Sequence, residues 1–126
     1  LFAQAGEKYQ AALAIKPDDH EVLNNWGTVL LEQAKRAGGE EAVLLVADAA
    51  DKIVSAVNID PTNTYNLACV RALQGDEQGC RSALENAEKH RTLPPIEHLI
   101  SDSDLDRVRS TPWFQDLIAR RGAQGG

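Results

Sequence analysis

The 126-residue sequence predicts an all-α fold, and three observations support this prediction. Ala, Leu, Glu and Lys recur at helical spacing, and no stretch alternates convincingly with period two. Proline and glycine interrupt the periodic segments where turns are expected. A chain of this length can bury a core without disulfides or a metal, so one domain of helices joined by short turns is predicted.

The first two predicted helices are separated by a proline. The first helix ends at about Ile15, because Pro17 forces the preceding residue out of helical geometry. The second covers about residues 20–37. Asp18 precedes it, and Glu21 follows three residues later, a pattern that predicts an N-cap with a returning carboxylate.

Three further helices are expected in the middle of the chain. Gly38 and Gly39 end the second helix, and the third runs from about residue 40 to residue 58. The segment YNLACVRAL, residues 65–73, predicts the fourth. The fifth covers about residues 77–90.

The composition changes after Pro94 and Pro95. Apolar residues within 96–100 predict a short helix, and a further turn is expected near Leu105 and Val108. Thr111 followed by Pro112 predicts the N-cap and first residue of a last helix.

The chain repeats part of its own sequence. Residues 1–17 align without a gap on residues 45–61, which gives an internal period of 44 residues. A period of this size is typical of helical solenoids. The identical pairs are Leu1 and Leu45, Ala3 and Ala47, Ala5 and Ala49, Lys8 and Lys52, Ala12 and Ala56, Ile15 and Ile59, and Pro17 and Pro61.

The residues of this repeat carry a family resemblance. Small residues allow paired helices to approach closely, and alanines recur here in a fixed pattern with one larger residue and a closing proline: Ala5, Tyr9, Ala12 and Pro17, then Ala49, Ile53, Ala56 and Pro61. Gly27, which follows Trp26, and Ala68 mark the first helices of pairs, and Cys80, Leu84 and Ala87 repeat the order of small, large and small. From Leu1 to about His90 the sequence resembles bacterial tetratricopeptide repeat proteins. The segment SDLDRVRSTPWFQDL resembles the ending of many such arrays.

The resemblance implies antiparallel helix pairs stacked as a right-handed solenoid. Residues 1–90 would hold a partial repeat at 1–17, a repeat with lengthened helices at 18–61 and a repeat at 62–90, followed by C-terminal capping helices at 91–121 and a disordered tail at 122–126. The usual period is about 34 residues. The longer period here is attributed to extra residues around LEQAKRAGGEEAVLLVAD. Trp113 and Phe114 are expected to close the exposed end of the array.

Composition and motifs argue against catalysis and against several ligand classes. A net charge of −6 disfavours nucleic acid and anionic membranes, and no apolar run approaches the roughly 20 residues that span a bilayer. His20, His90 and His98 are scattered. Asp102, Asp104 and Asp106 begin a calcium-loop pattern, but Arg107 and Trp113 occupy the places of its glycine and glutamate. We therefore predict a non-catalytic protein without cofactor or metal.

The cysteines and the first residue indicate the setting of the protein. Cys69 and Cys80 lie within apolar helical patterns and predict two buried thiols, which favours a reducing cytoplasmic environment. Leu1 falls in the middle of a repeat, so a fragment of a longer protein is expected.

The resemblance implies a concave groove that binds a peptide or helix of a partner protein. Asn25 and Asn66 occupy equivalent positions, and an amide side chain offers the donor and acceptor that match a peptide group. The alternative is that these amides bond to water or to their own helix. The groove residues would be Glu21, Asn24, Asn25, Thr28 and Leu31 on one helix, and Thr62, Tyr65, Asn66, Cys69 and Ala72 on the next.

Two features bear on the choice of partner. Thr62 and Asn66 stand where a receptor for acidic C-terminal peptides would carry cations, which disfavours that ligand. The rival to groove binding is structural: the chain would cap a longer array, or self-associate through an exposed N-terminal helix that carries Phe2 and Tyr9.

Overall fold

The structure is a computed structural model that describes the backbone of residues 2–123 and the side chains of residues 6–123. All regular structure in this range is helical, which confirms the all-α prediction. The chain divides into two compact units, which we call unit 1 (Leu1–Pro61) and unit 2 (Thr62–Gly126).

Unit 1 contains α1 (Phe2–Ile15), α2 (His20–Ala37) and α3 (Gly39–Ile59). The predicted helix ends agree closely with these bounds, but the predicted N-cap is wrong. Asp19, not Asp18, caps α2, because its extended backbone lets Oδ1 accept hydrogen bonds from the amides of Glu21 (3.2 Å) and Val22 (3.3 Å).

A single residue separates α2 from α3. Gly38 has a φ of 74° and Gly39 a φ of 59°, both in the left-handed region that favours glycine. This backbone reverses the chain at once, so α2 and α3 run antiparallel as a helical hairpin.

The hairpin is held by a close approach of backbones. A β-carbon on Gly27 would lie 2.5 Å from Cγ1 of Ile53 and 3.3 Å from the carbonyl oxygen of Ala49. Small residues therefore mark the contact between paired helices, as the repeat pattern predicts. The other buried residues of the hairpin are Leu23, Leu30, Leu31, Ala34, Ala50 and Ala56.

Helix α1 packs on α2 through an aromatic pair. The ring of Tyr9 stacks on that of Trp26 with centroids 6.0 Å apart, and Nζ of Lys52 lies 4.5 Å from the Trp26 centroid. Trp26 thus has a packing role in unit 1. The proposed self-association edge contains Tyr9, which is partly buried in this stack, and Phe2, whose side chain lies outside the described residues.

Unit 2 contains α4 (Tyr65–Leu73), α5 (Glu77–Lys89), α6 (Ile96–Ser101), a 3₁₀ turn (Ser103–Leu105) and α7 (Pro112–Ala123). Thr111 caps α7, since its Oγ1 accepts a hydrogen bond of 3.3 Å from the amide of Phe114, which confirms the predicted cap. Helix α7 extends into the predicted tail as far as Ala123, and residues 124–126 lie outside the described residues.

The C-terminal segment supplies one side of the unit 2 core. Phe114 is 1% exposed, whereas Trp113 is only half-buried and donates from Nε1 to Glu77 (3.3 Å). The core joins residues of α4 and α5 with residues that follow them: Tyr65, Ala68, Cys69, Ala72, Cys80, Ala83, Leu84, Leu99, Leu105, Val108, Phe114 and Leu117. The stacking of helix pairs into a right-handed solenoid stays a prediction.

Candidate partner-binding surface

The predicted groove residues of α2 share one helix face. Glu21, Asn25 and Thr28 lie on the same side of α2, because positions three and four apart share a helix face. All three are exposed. Asn24 is partly buried, and Leu31 is only 4% exposed. The open part of this face is therefore polar.

A side chain of this face forms a hydrogen bond to the helix backbone. Oγ1 of Thr28 donates to the carbonyl of Asn24 at 3.0 Å, a bond within the helix. The amide oxygen of Asn24 is buried and has no hydrogen-bond partner among the described residues. We use the name α2 face for the exposed set Glu21, Asn25 and Thr28.

The predicted groove residues of α4 have a different environment. Tyr65 and Cys69 are buried in the unit 2 core, together with Ala72. Asn66 is partly exposed, and so is Thr62, which lies in the turn before α4 and not on the helix as predicted. Residues of the C-terminal segment, among them Leu99, Leu105 and Val108, belong to the same core as the buried α4 residues, so the chain itself covers most of the α4 surface that the repeat pattern assigns to a ligand.

Asp102 fastens this covering segment to α4. Its Oδ2 accepts hydrogen bonds from the hydroxyl of Tyr65 (2.5 Å) and the thiol of Cys69 (3.7 Å), and its Oδ1 accepts from the amide of Asp104 (3.0 Å). Nε2 of His98 lies 3.3 Å from the same Oδ2. Asp102 therefore caps the 3₁₀ turn and also binds it to α4.

The same groups include a set of atoms with metal-ligand chemistry. Sγ of Cys69 and carboxylate oxygens of Asp102 and Asp104 lie within 4.8 Å of one another. Thiolate and carboxylate are both ligands that zinc accepts. Both oxygens of Asp102 accept hydrogen bonds within unit 2, and we therefore assign this cluster to packing of the 3₁₀ turn on α4.

Neither thiol has the acidity of a nucleophile. Burial, followed by the charges of Asp102 and Asp104, raises the pKa of Cys69 far above its ordinary value. Burial, followed by the charges of Asp76 and Glu77, raises the pKa of Cys80 to about 12. A reactive cysteine needs a lowered pKa and access to solvent, so these two are structural.

The raised thiol pKa predicts that unit 2 loses stability at alkaline pH. An unfolded thiol ionises near pH ~8.5, whereas folded Cys80 keeps its proton up to about pH 12. The contribution is complete below the unfolded pKa and declines as pH rises through this window, because only the unfolded state releases the proton. The free energy of unfolding, measured by urea titration at pH values from about 7 to about 10, should depend less on pH for Cys80→Ala than for wild type. The same pH dependence in both proteins would contradict this assignment.

The acidic charge is concentrated in unit 1. This unit holds five Lys and Arg against ten Asp and Glu, for a net charge of −5, whereas unit 2 holds eight against nine, for a net charge of −1. The net charge of −6 for the whole chain conceals this asymmetry. A count by repeat would have found it.

An exposed apolar pair on α3 was not among the predicted site residues. Val43 is 69% exposed and Leu44 is 70% exposed, although both are large hydrophobic residues. They lie in the stretch that lengthens the repeat, which was interpreted only as an insertion. The signal available was helical register, since the buried positions of α3 fix which positions face outward.

One family model matches the chain. Its description is plant specific mitochondrial import receptor subunit TOM20, and it matches residues 1–89. The match therefore spans unit 1, α4 and α5, and ends before α6. Comparisons with curated proteins and with solved structures found no match.

The match corrects two predictions. The predicted bacterial repeat family is wrong, because the matching family is specific to plants. The predicted cytoplasmic setting is wrong, because the family is a mitochondrial import receptor subunit. Repeat spacing reflects helix packing, and cysteine content reflects redox conditions, so neither reports the kingdom or the organelle. None of the described helices combines the length and apolarity that crossing a bilayer requires.

Proposed function

The chain belongs to the family of the plant-specific mitochondrial import receptor subunit TOM20, and we propose that it binds the targeting segments of proteins imported into mitochondria. The observation that carries this proposal is the match over residues 1–89. The family description names a receptor and not an enzyme, which agrees with a non-catalytic protein.

The charge of unit 1 supports this class of ligand. Mitochondrial targeting segments are amphipathic, rich in Arg and poor in acidic residues. Unit 1 has a net charge of −5, which attracts a basic segment and repels an acidic one. Such attraction speeds association and is screened by salt.

We place the polar contacts of the ligand on the α2 face. The Asn25 side chain is exposed, and its amide matches the donor and acceptor of a peptide group. The carboxylate of Glu21 lies one turn away and suits an arginine of the ligand. By the repeat alignment, Asn66 is the equivalent position of unit 2, and it keeps part of its exposure.

Titration of a labelled targeting-type peptide tests the proposed function. The probe is a synthetic helical peptide with Leu on one face and Arg on the other. Its binding is measured by fluorescence anisotropy. The control peptide has the same composition in an order that destroys the apolar face. We expect only the amphipathic peptide to bind, with affinity that falls as salt is added.

Variants of the α2 face test the contact residues. Asn25→Ala should weaken binding by about 0.5–1.5 kcal/mol, the usual net value of one hydrogen bond. Gln78→Ala, an exposed amide on α5, is the matched control and should bind as wild type. The receptor proposal would be overturned if the wild-type protein bound the amphipathic and control peptides equally, or if it bound neither peptide.

A separate observation supports a second role for unit 2. Leu99, Leu105 and Phe114 cover apolar residues of α4 and α5 that would otherwise face a further repeat. A terminal repeat needs such a cover. We propose that residues 96–123 end the array.

A further inference from the structure

Helix α3 carries a stripe of outward-facing residues on the side opposite its buried residues. Glu40, Leu44 and Ala47 stand nine positions before Ala49, Ile53 and Ala56, respectively. Nine positions are two and a half helical turns, so each member of the first set points away from its counterpart. Ala49, Ile53 and Ala56 are buried, with at most 1% exposure, whereas the residues nine positions before them are all exposed.

The centre of the stripe is apolar. Val43 and Leu44 are 69% and 70% exposed, and Ala47 is exposed one turn further along. Adjacent large hydrophobic residues at this exposure differ from single exposed side chains, which are normal on protein surfaces. The pair therefore marks a surface able to take the apolar side of a partner.

The two ends of the stripe are acidic. Glu40 and Glu41 precede the apolar centre, and Asp51 follows it on the same face. Their carboxylates form no ion pair with other described residues, whereas the neighbouring Asp48 pairs with Lys52 at 3.1 Å. From Glu40 to Asp51 the helix rises about 16 Å, which corresponds to three turns of a partner helix. We call Glu40, Glu41, Val43, Leu44, Ala47 and Asp51 the α3 stripe.

We propose that the α3 stripe docks the apolar face of a basic amphipathic helix of the class that mitochondrial targeting segments form. Apolar side chains of that helix lie on Val43, Leu44 and Ala47, and its arginines pair with Glu40 or Glu41 at one end and with Asp51 at the other. This inference rests on the proposed function and adds a second contact surface for that class of ligand, distinct from the α2 face.

Charge and polarity select this occupant. The α2 face exposes Glu21, Asn25 and Thr28, which are polar and cannot cover a leucine row. A second copy of the stripe would place glutamates against aspartates, and an anionic lipid surface would face the same three carboxylates. Both arrangements bring like charges together, whereas a basic helix neutralises them.

The test uses the labelled Leu and Arg peptide with three variants of the full chain. Val43→Ser with Leu44→Ser removes the apolar centre, and we expect about a tenfold or greater loss of affinity, as for interface anchors. Glu40→Gln, Glu41→Gln and Asp51→Asn together should weaken binding and flatten its dependence on salt. Ile100→Ser is the control, since Ile100 is an exposed hydrophobic residue of unit 2, and it should bind as wild type. All changed side chains are exposed, and circular dichroism should confirm that each variant is folded.

Each remaining outcome separates the docking surface from the receptor function. Absence of peptide binding to the wild-type chain overturns the proposed function and this inference together. Binding that survives both α3 variants but is weakened by Asn25→Ala overturns the inference and leaves the receptor function standing. A dimer that forms in sedimentation runs and is lost in Val43→Ser, Leu44→Ser assigns the stripe to self-association and overturns the inference. Peptide-independent capture of anionic vesicles by wild type alone does the same.

Discussion

Gly27→Leu is expected to destabilise unit 1 by about 1–3 kcal/mol, and more if the hairpin cannot separate, because it inserts a side chain into a filled contact. The first atom of that side chain would already lie 2.5 Å from Cγ1 and 2.9 Å from Cδ1 of Ile53. Ile53 is fully buried, and the adjacent carbonyl of Ala49 is backbone, so neither can move aside easily. Urea unfolding followed by far-ultraviolet circular dichroism measures the loss.

Gly6→Ala provides the matched control for this change. Gly6 is also inside a helix, but a β-carbon there would meet nothing closer than Nε1 of Trp26 at 3.9 Å. Alanine should therefore stabilise the helix by roughly 0.5–1 kcal/mol, since glycine loses more backbone entropy on folding. A Gly27→Leu protein with the unfolding midpoint of wild type would contradict the close approach of α2 and α3.

Phe114→Ala is expected to cost unit 2 about 3–5 kcal/mol, the usual range for a buried phenylalanine. The ring is 1% exposed and belongs to the core that joins α4 and α5 with the C-terminal segment. Its loss leaves a cavity beneath the covering residues, and these cannot collapse fully because Leu105 and Val108 are held by the turns on either side. Thermal and urea unfolding of the full chain measure the effect.

The control for this variant is Ile100→Ala. Ile100 lies in α6, within the same C-terminal segment, but it is 50% exposed. Truncation of an exposed residue should change the free energy of unfolding by no more than about 0.5 kcal/mol. If Phe114→Ala were as mild as Ile100→Ala, the C-terminal segment would not be part of the core.

Helix bounds were predictable because their signals are local. Pro17 and the Gly38–Gly39 pair act on their own backbone and its nearest neighbours, so their effect can be deduced from sequence. The choice between Asp18 and Asp19 as N-cap was not. Both are aspartates that precede the same helix, and only the backbone conformation decides which carboxylate reaches the amides of the first turn.

The surface of α4 was not predictable for the opposite reason. Tyr65 and Cys69 were assigned to a ligand from their register in the repeat, but residues some 35 positions later in the chain bury them. Helical register shows which residues of one helix face its packing partner. It gives no information about contacts with a segment that is distant in the sequence. The exposure of Asn25 on α2 could be predicted, since that helix face has no such cover.

The α3 stripe lies between these cases. The nine-position relation to Ala49, Ile53 and Ala56 was present in the sequence, so the outward direction of Leu44 was in principle predictable. The signal lay in the chemistry of the added residues and not in the extra length of the repeat. The family and organelle could not be deduced, because helix packing is shared by proteins of many functions.

The placement of the cysteines allows unit 2 to be observed separately from unit 1. Cys69 and Cys80 are the two cysteines of the sequence, and both lie buried in unit 2. A thiol reagent added to the native protein therefore reacts only when unit 2 opens, and the reaction rate measures the free energy of that local opening. Unit 1 contains no cysteine and does not contribute to the reaction. Combined with Gly27→Leu, the same reaction separates two mechanisms: an unchanged rate means that the units unfold independently, and a faster rate means that the stability of one is transmitted to the other.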